Sequence, residues 1–254
     1  MRTVSASLFR YDFALLFRHG FVAAYALIGI MYAAIAGALP QAWADAVLPV
    51  LVWSDPVFFG FFFAGATVCL DLAQGTFRVL AVTPLKPSAY FLVKSLNLAL
   101  LAYAMAVGIA LAVRGFAFRP VVLLVAIMLG GAPSALLGAA LALRLGSINR
   151  FMVGAIPGLL WFSVPVLVYA TGQWLPDWVV WLGRLSPADG AFRWAMAAFD
   201  TSVALTGSGG VSAGTGGLGL RPGVLVPAAL ESFGWIVLAA RFVLVPAVAA
   251  AREA

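Results

Sequence analysis

Apolar runs of about 18 or more residues recur along the chain, separated by short polar stretches. Each run is long enough to cross a hydrocarbon core of roughly 30 Å as a helix. None alternates with the period of two that a barrel strand requires. The pattern predicts six spanning helices, at about residues 20–39, 48–70, 88–113, 120–143, 151–171 and 223–243. Ahead of them, residues 2–19 place Phe9, Phe13, Leu16 and Phe17 on one helical face and Ser7, Arg10 and Arg18 roughly opposite, the pattern of an interfacial elbow helix. The fold class is all-α: one polytopic transmembrane domain over residues 1–254 with short outer amphipathic helices. Ala42-Trp43-Ala44 resembles a cleavage site, but the apolar stretch before it is too long for a signal peptide, so it reads as a retained first span.

Composition sharpens this. Of 254 residues 64% are hydrophobic and 9% are charged, against roughly 25% charged in a soluble domain. The net charge of +6 sits mostly at span ends, where it suits an anionic lipid leaflet and not a nucleic acid. Arg2, Arg10, Arg18, Arg78, Lys86, Lys94, Arg144, Arg150, Arg241 and Arg252 fall on one side. Arg114, Arg119, Arg184, Arg193 and Arg221 fall on the other, which places both termini in the cytoplasm of a cell inner (plasma) membrane protein. Arg114 and Arg119, in a short outer loop, run against the rule. Cys69 and His19 each stand alone, which argues against a disulfide, a metal centre or a cofactor in this chain.

Within the spans, Ala126, Gly130, Ser134, Gly138 and Ala142 recur every four residues, a surface for close helix packing. Pro133, Pro157 and Pro165 predict kinks. The outer segment, residues 172–222, begins rich in Trp and predicts interfacial helices, one of them opened by Ser186, Pro187 and Asp189. Residues 207–223 are glycine-rich but lack the Gly-Lys-Ser/Thr ending of a phosphate loop; the only lysines are Lys86 and Lys94. Asp55 reads as an outer-interface cap of a helix that begins at Pro56. Glu231, inside the sixth span, reads as bonded to Ser232 or another span, or as a cation or proton site.

The longest polar break, DLAQGTFRVLAVTPLKPSAYFLVK, lies between the second and third spans. Gly75 can close the incoming helix, Thr76 can cap a short helix over Phe77–Val82, and Thr83-Pro84 can stop it. Phe77, Leu80 and Val82 then offer exposed apolar surface beside Arg78, and Lys94 can snorkel to the headgroups. The stretch resembles the signature of ABC-2 type transporter permeases around their cytoplasmic coupling helix, with Asp71, Gly75, Thr76, Thr83, Pro84, Leu85 and Lys94 in register. Asp71 stands where family members often carry Glu, and Ala73 where they often carry a second acid. SDPVFFGFFFAGA is most similar to the subgroup of fluoroquinolone export permeases.

The resemblance implies a non-catalytic permease subunit whose residues 71–88 receive force from a separate ATP-binding cassette subunit, with no residue of this chain catalytic. It implies two permease copies, a homodimer, and two ATPase copies that hold ATP and Mg²⁺, with no cofactor or metal bound here. The exported compound would be amphiphilic or hydrophobic, a drug or a lipid. Spans two and five line the path in similar permeases, which makes Asp55, Phe59, Phe62, Trp161 and Glu231 path candidates. The competing class is a secondary transporter or channel not driven by ATP, which would require paired inverted halves with broken midplane helices and several buried ionisable residues, neither of which is evident in the sequence. A membrane-embedded enzyme would need a cluster of His, Asp, Glu or Cys at one membrane face, and this sequence has none.

Overall fold

A computed structural model describes residues 2–18, 20–77, 87–171, 175–199, 203–205, 211–213 and 222–245. Helix α1 (Arg2–Arg18) precedes the first span, α2 (Phe21–Ala38). Helix α3 (Gln41–Ser54) continues through a π-helical turn, Asp55–Phe59, into α4 (Gly60–Ala73), so Trp43–Ala73 forms one long span. Helices α5 (Pro87–Arg114) and α6 (Pro120–Leu145) follow. The fifth span is broken at Ala155 into α7 (Ile148–Gly154) and α8 (Ile156–Thr171), next to Pro157. Two short helices, α9 (Asp177–Arg184) and α10 (Asp189–Ala198), lead to an antiparallel pair of three-residue strands, β1 (Val203–Leu205) and β2 (Val211–Ala213). The last span is α11 (Pro222–Leu238), continued by a second π-helical segment, Ala239–Leu244. Among the described residues six helices are long and apolar enough to cross a membrane, and the regular structure is helical apart from that short hairpin.

The small residues of α6 explain its central position. Ala126, Gly130, Ser134, Gly138 and Ala142 are all buried, and a Cβ on Gly138 would collide with the backbone of Phe61 in α4. Ser134 Oγ lies 3.1 Å from the Pro56 carbonyl and 3.0 Å from the Gly131 carbonyl, so a hydroxyl serves the backbone where the π-helical turn departs from regular geometry. Close approach of backbones, which lipid does nothing to oppose, is the attraction available to helices in a bilayer.

Helix α10 corrects the expected interfacial helix. Asp189, Gly190, Ala191, Phe192 and Ala195–Ala198 are buried, and the helix is inserted among α3, α6 and α11. Trp53 donates from Nε1 to the Ala188 carbonyl (3.1 Å) and packs edge-on against Phe192, while Trp194 donates to the Leu225 carbonyl (3.1 Å). Small residues admit this helix: a Cβ on Gly130 would stand 3.1 Å from Ala191. The helix opens at Asp189 with Ala188 directly before it, and Ser186 still serves the helix start: its Oγ accepts from the Ala188 N–H (3.4 Å) and its carbonyl from the Asp189 N–H (3.1 Å), while the hydroxyl donates to the Trp161 carbonyl (3.3 Å). Helix α9 does match its expectation, with Trp178 and Trp181 exposed and Arg184 over the Trp181 ring.

Candidate functional site

At the end of α4, Gly75 adopts φ +69°, a left-handed conformation that ends the helix with nothing near its missing side chain. Thr76, expected as a cap, and Phe77 already belong to the next helix. Arg78, Thr83, Pro84 and Leu85 lie outside the described residues. Phe77 was expected to be exposed and is instead 8% exposed, packed edge-on against Tyr90 and face-on against Phe91 of α5. The start of the polar segment is therefore anchored in the bundle.

Beneath it lies a buried polar network. Tyr90, Lys94 and Asn97 follow at intervals of four and three, so they share one face of α5. Tyr90 donates its hydroxyl to Asp71, and Lys94 Nζ stands 2.9 Å from Asp71 Oδ2 and 3.7 Å from Asp12 Oδ1. Asn97 Nδ2 donates to Asp12 Oδ2 (2.8 Å) and to the Phe9 carbonyl (3.2 Å). Lys94 does not snorkel: two carboxylates hold it inside, at 7% exposure. Asp12, which the sequence reading passed over, ties the elbow helix to α5 with Leu16, which packs on Ala64, Leu98 and Ala135. The available signal was that Asp12 is the one acid in residues 2–19 and Asn97 an amide inside an apolar run. Arg10 and Arg18 are exposed as expected, while Phe17 faces outward.

The path candidates do not converge on one wall. Phe59 packs on Tyr25 of α2 and Phe63, whereas Phe62 packs on Phe151 of α7. Asp55 is no interfacial cap: the helix runs through it, its side chain is buried, and neither carboxylate oxygen has a hydrogen-bond partner. Trp161 packs edge-on against Trp235 with its Nε1 unpaired. Glu231 is half-buried with Oε1 unpaired, within electrostatic reach of Asp189 and Arg193. The expected bond to Ser232 is absent, because Ser232 Oγ is buried without a partner.

At that same end, Asp189 forms an ion pair with Arg193 one turn along α10. Burial raises the Asp189 pKa, and Arg193, then Arg184, pull it back. Arg114, one of the two outer-loop exceptions to the charge pattern, is occupied by the fold. Its Nε stands 2.8 Å from Asp45 Oδ1 and its Nη1 donates to the Phe199 carbonyl (2.6 Å). Among the described residues no three His, Cys, Asp or Glu side chains gather as a metal site would need.

The profile of the fluoroquinolones export permease protein family matches residues 3–208. No curated protein matches the chain at a significant level. The match takes in the elbow helix, the first five spans, the segment after Asp71 and the inserted α10, on a fold with six membrane-length helices. The chain belongs to the fluoroquinolones export permease family, and is a membrane-embedded transport permease of the ABC-2 export type.

Proposed function

We propose that the chain is the substrate-path subunit of an ATP-driven exporter, worked from its cytoplasmic face by a separate ATPase through residues 71–88. Two copies of the chain associate with two ATP-binding cassette subunits, which hold the ATP and Mg²⁺. Both termini face the cytoplasm, and the cargo is an amphiphilic or hydrophobic compound. The observation that carries this reading is the buried base of the segment. A lever transmits force only if its foot is fixed, and Asp71–Lys94–Asp12, with Phe77 between aromatic rings, joins α1, α4 and α5 at that foot. Helix α4 in turn presses backbone to backbone on α6, so a displacement of the foot reaches the centre of the bundle.

The test is reconstitution of the permease with its ATPase in vesicles. Dye extrusion and stimulated ATP hydrolysis are expected only with both subunits and ATP, and Arg78→Asp is expected to abolish the stimulation while the permease stays folded. Extrusion by the permease alone would contradict the proposal. One observation favours a second reading: the unpartnered, buried Asp55 is the kind of group that carries protons in secondary transport. That reading predicts extrusion driven by an imposed pH gradient without ATPase and lost in Asp55→Asn.

A further inference from the structure

Four buried polar atoms lie without partners in one neighbourhood of α8, α10 and α11: Trp161 Nε1, Arg193 Nε, Glu231 Oε1 and Ser232 Oγ. Each such group left unsatisfied in a low-dielectric interior keeps its full desolvation cost, so a concentration of them works against folding alone. The neighbourhood is one place. Ser232 is fully buried and its Oγ faces Gly190, where a Cβ would stand against it. Glu231 feels Asp189 and Arg193 across the same contact between α10 and α11. Trp235, one turn beyond Glu231 on the same face, meets Trp161 edge-on with centroids 5.4 Å apart. Leu230 and Phe233 point outward, so this stripe is the inward face of α11.

Charge selects the ligand. Arg193 is ion-paired with Asp189, on which Arg184 also acts, so Glu231 is the carboxylate of this cluster whose Oε1 is left without a hydrogen-bond partner. Glu231 stands eight residues past Gly223, about 12 Å into the span, where an isolated carboxylate is expensive. The two indoles beside it offer electron-rich faces that attract organic cations. Glu231, Trp161 and Trp235 are each half-buried, so the cluster has an open side. We infer that Trp161, Trp235 and Glu231 form a recognition subsite for the ammonium group of an amphiphilic amine, with Ser232 as a further hydrogen-bond partner and the Asp189–Arg193 pair holding the wall. Two carboxylates, one of them already paired with a guanidinium, do not suit a metal ion. The inference deepens the export reading by assigning a cationic group to the cargo, and rests on that reading for its physiological meaning.

The experiment measures binding to the full-length permease in detergent, with no ATPase or nucleotide, so its failure and the failure of ATP coupling are separate events. The probes are ethidium, a cation, and N-phenyl-1-naphthylamine, an uncharged aromatic amine of similar apolar character, each followed by fluorescence anisotropy. Glu231→Gln is expected to weaken ethidium at least tenfold and to leave the neutral dye within twofold. Trp235→Leu, which keeps the carboxylate, is expected to weaken ethidium severalfold with the neutral dye again little changed, and it decides the matter if Glu231→Gln fails to fold. Unchanged ethidium binding in a folded variant, or equal loss of both dyes, would overturn the assignment.

Discussion

The two polar clusters of this bundle are built from similar side chains and end in opposite states. At the Asp71 end, two carboxylates share Lys94, and Tyr90 and Asn97 supply hydrogen bonds, leaving Asn97 Oδ1 as the one buried atom of this cluster unpaired among the described residues. At the Glu231 end, one carboxylate is paired with Arg193, while the second, a hydroxyl and an indole N–H are not. In a medium without water a polar group finds a protein partner, finds a ligand, or remains a cost. Saturation marks a joint that holds helices together, and deficiency marks a place for something that comes and goes.

Removing the cation from the saturated cluster gives the largest expected effect. Lys94→Met leaves the buried Asp12 and the part-buried Asp71 without the cation they share, and breaking a buried pair costs roughly 3–5 kcal/mol. A large drop in the thermal midpoint of the purified protein is expected, with most of it recovered when Asp12→Asn and Asp71→Asn are added. No drop would mean that the joint bears no strain. At the deficient cluster the same logic changes sign. Ser232→Ala removes a buried hydroxyl that has no partner, so stability is expected to hold or rise, by about 1 kcal/mol at most. A loss of several degrees would show that Ser232 is satisfied after all.

The smallest effect is a pH slope. Burial raises the pKa of Asp189 in the folded protein, so between its unfolded and folded values the native state holds the proton more tightly. Stability from this group is therefore full below the unfolded value and falls as pH rises towards the folded one. Thermal midpoints measured from pH 4 upward are expected to decline slightly in the wild type and to lose that component in Asp189→Asn, whose absolute stability is lower because Arg193 loses its carboxylate.

The six spans were legible because lipid imposes length and apolarity on each segment separately, without reference to its neighbours. The packing row of α6 was legible for the same reason: a period of four small residues is a property of one helix. What escaped depends on two segments at once. Asn97 and Asp12 are 85 residues apart, and nothing local at Lys94 tells that two acids wait for it inside the bundle. Phe77 reads as exposed when its neighbours in sequence are polar, yet Tyr90 and Phe91 cover it from the next helix. Asp55 before Pro56 looks like a helix start, but a π-helical turn with Ser134 beside the Pro56 carbonyl carries the helix through. Helix α10 looked interfacial from its Trp and charges; its glycine and alanines admit it between α6 and α11.

The central claim, that force enters beside the saturated joint, is tested most directly by cross-linking. In a Cys69→Ala background, Arg78→Cys places a single thiol in the segment after Asp71, and Phe116→Cys places one at the opposite end, where Phe116 is 90% exposed. With a short bifunctional reagent and the ATPase subunit present, position 78 is expected to cross-link to the ATPase and position 116 is not. A cross-link at 116, or none at 78 in an assembled complex, would contradict the account.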